Sequence, residues 1–139
     1  MSHIVRQVLG ATSYMHSKGI VHRRINSSNI HVENTSDSLN FLVKLDGLEE
    51  AFVRVNAYDR VTGSLKHTTF DAPDTYEESY TEKVDVWSIG MLFYFLLTGS
   101  MPFSEDEFRK VCLTTRDSEP SIVRKRRTSQ NAAKLETQL

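Results

Sequence analysis

The sequence predicts a mainly helical fold with small β elements, an α+β arrangement built round one central buried helix. Three observations carry this. The most apolar stretch, Val84 to Leu97, has apolar residues on every side of a helical wheel, the mark of a helix surrounded by other elements. A second stretch, near the start, repeats apolar residues at helical spacing. Only short runs, bounded by turn residues, have strand character.

Taken in order, Ile4, Val5, Val8, Leu9, Ala11, Thr12 and Met15 form the apolar face of an amphipathic helix. Lys18 suits its negative end, and Gly19 supplies the left-handed residue that stops it. Ile20-Val21 is a short buried bridge, Asn29 to Val32 a strand, and Phe41 to Leu45 a second strand closed by the turn dipeptide Asp46-Gly47. Glu49 to Pro73 holds no period for long and contains one possible strand at Ala51 to Val55. Irregular stretches of that length in a compact domain are functional or disordered. Ser79-x-x-Glu82 has the capping-box pattern and opens the central helix, which Gly99 closes. Ser104 begins a further helix through Phe108 and Val111, with Glu105, Asp106 and Glu107 at its positive end. These elements divide the chain into a core at 1–112, a basic polar linker at 113–128 and the cut-off start of a last helix of the same domain at 129–139.

A chain of 139 residues is enough for one domain with a real core. Apolar and charged fractions of 39% and 25% exclude wholesale disorder and collagen-like classes. A net charge of −1 gives no basic excess for nucleic acid or a membrane surface. Asp85, Ser88 and Gly90 interrupt the central apolar stretch, which is shorter than the ~20 residues a bilayer requires. The start lacks the apolar run of a signal peptide, and the single cysteine, Cys112, has no internal partner. The expected setting is intracellular and cytoplasmic.

The most informative stretch is His22-Arg23-Arg24-Ile25-Asn26-Ser27-Ser28-Asn29. It resembles the protein-kinase catalytic loop, H-R-D-L-x-x-x-N, with its spacing intact. Further matches follow in the right order. Ala72-Pro73-Asp74 resembles A-P-E, Asp85-Val86-Trp87-Ser88-Ile89-Gly90 resembles D-x-W-S-x-G, and Leu97 to Phe103 resembles L-x-G-x-x-P-F. Tyr14 to His22 is similar to the helix and bridge that enter the catalytic loop. On this ordered set, clearest from residue 4 to 112, the chain is identified as a member of the protein-kinase family. It is similar to the calcium/calmodulin-dependent Ser/Thr group, and the resemblance covers the C-terminal lobe only.

The departures fall on the chemistry. In the family the loop Asp accepts the substrate hydroxyl's proton and the Asn holds magnesium. The matching positions here are Arg24 and Asn29. A guanidinium stays protonated and has no lone pair to accept a proton. Asn26 stands where the family has a Lys that neutralises the transferred phosphoryl. Ungapped alignment puts Gly47-Leu48-Glu49 at D-F-G; a one-residue gap puts Asp46 at the metal position, and an ordinary tight turn is the third reading. His67 takes the place of the family's substrate-side Thr. Arg23 resembles the family's phosphate-sensing Arg, with Thr68 and Thr69 near enough in sequence to carry the phosphate.

No G-x-G-x-x-G occurs, and neither the strand Lys nor the helix Glu of the N-lobe is present. The expectation is therefore a catalytically inactive pseudokinase acting as a binding or regulatory module. Its partner would be a protein, either an active kinase or an N-lobe-like surface. No cofactor is expected, with ATP and Mg entering, through Asn29 and Asp46, only if an N-lobe is supplied elsewhere. Two alternatives stay open: part of an ATP-dependent Ser/Thr kinase whose N-lobe lies outside this chain, and a truncated product without function. Outside the resemblance, the run Arg124-Lys125-Arg126-Arg127 reads as a solvated linker, as a nuclear-import or acidic-partner patch, or as a basophilic-kinase site with Ser129 and Thr128 as phosphorylation candidates, Arg126 and Arg127 preceding Ser129 at the preferred spacing.

Overall fold

A computed structural model describes residues 2–34, 41–56, 58–63 and 67–117. Helix α1 spans Ser2–Ser17 and ends at Gly19, whose φ of 74° is the left-handed stop the sequence predicts. Strand β1, Ile20–Val21, pairs antiparallel with β4, Phe52–Val53. The Arg54 amide extends that pairing by donating to the Gly19 carbonyl at 2.8 Å. Strands β2, Ile30–Asn34, and β3, Phe41–Leu45, form a second antiparallel pair with Ile30 opposite Leu45 and Val32 opposite Val43. Helix α2 spans Lys83–Thr98 and α3 spans Glu105–Asp117.

Two hydrophobic clusters hold these elements together, and α2 contributes to both. Val84, with Trp87 beside it, packs on Val21, Val61, Ala72 and Tyr80. One helical turn on, Ile89 and Leu92 pack on Val8 of α1 and Ile25 of the loop, with Ile30, Val43 and Leu45 of the strand pair against them. The mixture of helices and small sheets agrees with the predicted class.

Several expectations need correction. Helix α2 is not covered on all sides: Phe93 is 40% and Leu97 56% exposed, and Trp87 is only partly buried. Uniform apolarity cannot say which side of a helix its neighbours cover. Ser79 does not cap α2. The residue before the helix, Glu82, is already in helical conformation without a side-chain cap bond, and the Ser79 hydroxyl accepts from Arg60 Nε at 2.8 Å. The predicted strand at 51–55 shrinks to the two residues that find a partner. Asn29 belongs to the turn before β2, which instead runs on to Asn34. Helix α3 continues to Asp117, past the expected core boundary at 112. The rest of the linker, the basic run and Thr128 and Ser129 lie outside the described residues.

Candidate functional site

The loop from His22 to Asn29 is fastened to α2 by one carboxylate. Asp85, fully buried, accepts the His22 and Arg23 amides, each at 2.8 Å, one on each oxygen. His16, at the end of α1, donates from Nε2 to the first oxygen at 2.8 Å. Three donors satisfy a carboxylate that burial would otherwise make costly. They also hold Arg23 at φ 68°, a left-handed conformation that costs a non-glycine residue roughly 1–2 kcal/mol.

His22 is buried beneath the loop, and its tautomer follows from its neighbours. Nδ1 accepts the Arg24 amide at 3.2 Å, so Nε2 carries the proton and donates to the Asp46 carbonyl at 2.9 Å. Burial lowers its pKa below the ordinary imidazole value, outweighing the opposing pull of Asp85 and the Asp46 carbonyl.

That hydrogen bond brings the end of β3 under the loop. The Asp46 amide donates to the Asn29 carbonyl at 2.8 Å. Gly47, at φ 83°, comes so close that a Cβ there would stand 2.3 Å from Asn29 Nδ2. Asp46 thus neighbours the Asn29 backbone and Gly47 its side chain; Asp46-Gly47 is not a hairpin turn but the entry to a short 3-10 turn at Leu48–Glu50. Asn29 Nδ2 donates to the Arg24 carbonyl at 2.9 Å, which leaves the amide oxygen to offer to a ligand. The Asp46 carboxylate accepts the Gly47 amide on Oδ1 at 2.8 Å and has His31 Nε2 3.5 Å from Oδ2. A carboxylate and an amide oxygen are donor types that magnesium takes beside phosphates and water. No group of three or more His, Cys, Asp or Glu that could hold a metal exists among the described residues.

Arg24 is half-buried and paired. Its Nη1 donates to Glu50 Oε1 at 3.2 Å. Asn26 is turned inwards as well: its Oδ1 caps the turn Ser27–Asn29, accepting the Ser28 and Asn29 amides at 2.9 and 3.2 Å, while Nδ2 donates to the Arg24 carbonyl at 3.4 Å. Motif alignment missed this capping role, although Asn before Ser-Ser-Asn is an N-cap pattern. His67 stacks on Tyr76 with ring centroids 3.8 Å apart, and Thr75 Oγ1 lies 3.4 Å from its Nδ1. Sequence reasoning also missed Asp71, a buried carboxylate beside the site. Burial raises its pKa, and hydrogen bonds from Thr68 with the charges of His67 and Arg24 oppose the rise.

The family pattern described as "Protein kinase domain" matches residues 1–139. The chain is 32% identical over 122 residues to calcium-dependent protein kinase 6 of Plasmodium berghei, covering 86% of this chain and 8% of that protein. It is 35% identical over 106 residues to human calcium/calmodulin-dependent protein kinase type 1B, covering 76% of this chain and 30% of the relative. Against serine/threonine-protein kinase RAD53 of Saccharomyces cerevisiae, identity is 39% over 114 residues, or 73% of this chain and 14% of that protein. The chain therefore spans less than a third of each of these relatives. A pattern that runs through the whole sequence, and a loop, a turn at Asp46-Gly47 and a central helix that meet in the order the motifs predict, lead to one conclusion: this chain belongs to the protein kinase domain family.

Proposed function

We propose that this chain is a C-lobe portion of the kinase fold that has given up phosphoryl transfer and acts by binding another protein. The observation that carries the reading is Arg24, which holds the base position and is ion-paired to Glu50 at 3.2 Å. A positioned base contributes about 10²–10⁴ in rate, and a guanidinium cannot serve as one. If nucleotide and an N-lobe come from elsewhere, Asn29 and Asp46 would hold a magnesium ion that neutralises phosphate charge. The partner is a protein, an active kinase or an N-lobe-like surface, in an intracellular setting. Thr128 and Ser129 are proposed as substrate positions for a basophilic kinase, on the sequence alone.

A second reading, part of an ATP-dependent Ser/Thr kinase, is favoured by the preserved juxtaposition of Asn29 and Asp46 and by the greater length of the relatives. A radiolabelled ATP assay with Mg or Mn and a basic protein substrate separates the two. The expected result is no transfer above the no-enzyme control, in the wild type or in Arg24→Asp, because one restored base has no held nucleotide to act on. Wild-type turnover abolished by Arg24→Ala would overturn the proposal. Turnover in Arg24→Asp alone would favour the second reading.

A further inference from the structure

Two consecutive guanidiniums seize the same residue. Arg24 Nη1 takes the Glu50 carboxylate, and Arg23 Nε donates to the Glu50 backbone carbonyl. Arg23 also spans the segment beyond. Its Nη1 donates to the Thr62 carbonyl at 3.1 Å and reaches the Tyr80 hydroxyl at 3.4 Å, and its guanidinium lies 5.8 Å from the centroid of the Phe52 ring. These contacts come from four places along the stretch between the magnesium-side turn and α2. Arg23 stands where the family's phosphate-sensing Arg does, yet here its Nε and Nη1 are engaged by main-chain carbonyls and a neutral hydroxyl. The planar fork suits that use, because its donors can face several fixed acceptors at once.

We infer that Arg23 and Arg24 form a tandem clamp that fixes Glu50, Phe52, Thr62 and Tyr80 against the catalytic loop without any phosphate. The substitution at position 24 is then a gain as well as a loss. Arg24 supplies the charge that Glu50 answers, and its field also reaches the buried Asp71 carboxyl. An Asp at 24 would bring another carboxylate towards both. The inference goes beyond the loss of phosphoryl transfer and is read in backbone protection, so it stands or falls separately from activity.

Hydrogen exchange on the full, unphosphorylated chain tests it. Peptides covering Leu48 to Thr62 should be protected in the wild type. They should exchange about tenfold faster in Arg24→Asp and in Glu50→Arg, with α1 and α2 unchanged. The charge-swapped pair Arg24→Glu/Glu50→Arg should return most of that protection. Should Arg24→Asp unfold the whole chain, Arg24→Gln, which removes the charge without adding a carboxylate, should still give about a threefold local rise. Unchanged exchange in both Arg24→Asp and Arg24→Gln would overturn the clamp. So would a swap that recovers nothing, or wild-type protection that appears only after Thr68 or Thr69 is phosphorylated.

Discussion

Gly47 has no room for a side chain, and the cause is the residue it faces. Its φ of 83° disfavours any L side chain, and a Cβ would stand 2.3 Å from an Asn29 nitrogen already committed to the Arg24 carbonyl. Gly99 has a similar φ, 72°, with nothing within 4 Å of its would-be Cβ. The two therefore separate strain from collision. Gly99→Ala should cost about 1 kcal/mol and Gly47→Ala about 2–3 kcal/mol, read from urea midpoints at unchanged slope. Equal costs would mean that Asn29 moves aside freely. His22 gives a second prediction at this scale. Its folded pKa lies below the ordinary imidazole value of about 6.5, so the unfolded chain binds the extra proton first as pH falls. Stability should be constant above about pH 7.5 and decline below 6.5, continuing until the lower folded pKa is reached, by at most about 1.4 kcal/mol per pH unit. His22→Asn should remove that part of the slope in pH-dependent urea melts; an unaltered slope would assign it to other groups.

At the scale of elements, the same four-residue pattern occurs twice and works once. Ser104 begins α3 with a reciprocal box: its amide donates to Glu107 Oε2 at 2.9 Å, and the Glu107 amide returns to Ser104 Oγ at 3.3 Å. Ser79, with Glu82 three residues later, faces Arg60 instead. Ser104→Ala should cost about 1 kcal/mol, and Ser79→Ala should leave α2 intact, since it removes a bond between exposed groups and no cap. Denaturant melts of the two variants check the difference. The contrast marks what the sequence made legible. Helix α1 and its Gly19 stop could be read locally, because period and terminator lie within one segment. The β1–β4 pairing could not: two residues meet two others some thirty positions away, too few to leave a pattern. In the site, the motif spacing located Asn29 and Arg24. Only the fold shows that Asp46 and Gly47 both meet Asn29 and that Asn26 is spent on a cap. Glu50 and Asp71 carry no motif; their importance comes from where Arg24 points.

For the whole molecule, the exposed side of α2 decides solution behaviour. Val86, Gly90, Phe93 and Leu97 recur at four, three and four residues, so they share one stripe of the helix. Val86, Phe93 and Leu97 are exposed, and Tyr94 flanks them. Residues 86–97 rise about 16 Å along the axis, which makes the stripe a continuous apolar surface rather than scattered single residues. Water contact with such a surface is unfavourable by roughly 25 cal/mol per Å², and association relieves it wherever two copies meet. The purified chain should therefore associate as concentration rises, with a melting temperature that depends on concentration. Val86→Lys and Leu97→Lys both replace side chains more than half exposed, so they should weaken association without lowering the midpoint of the dilute protein. Light scattering and thermal melts over about a hundredfold range of concentration measure both effects. A sharp, reversible, concentration-independent melt above about 60 °C in the wild type would show that the α2 stripe is harmless and that the chain is stable with that face open.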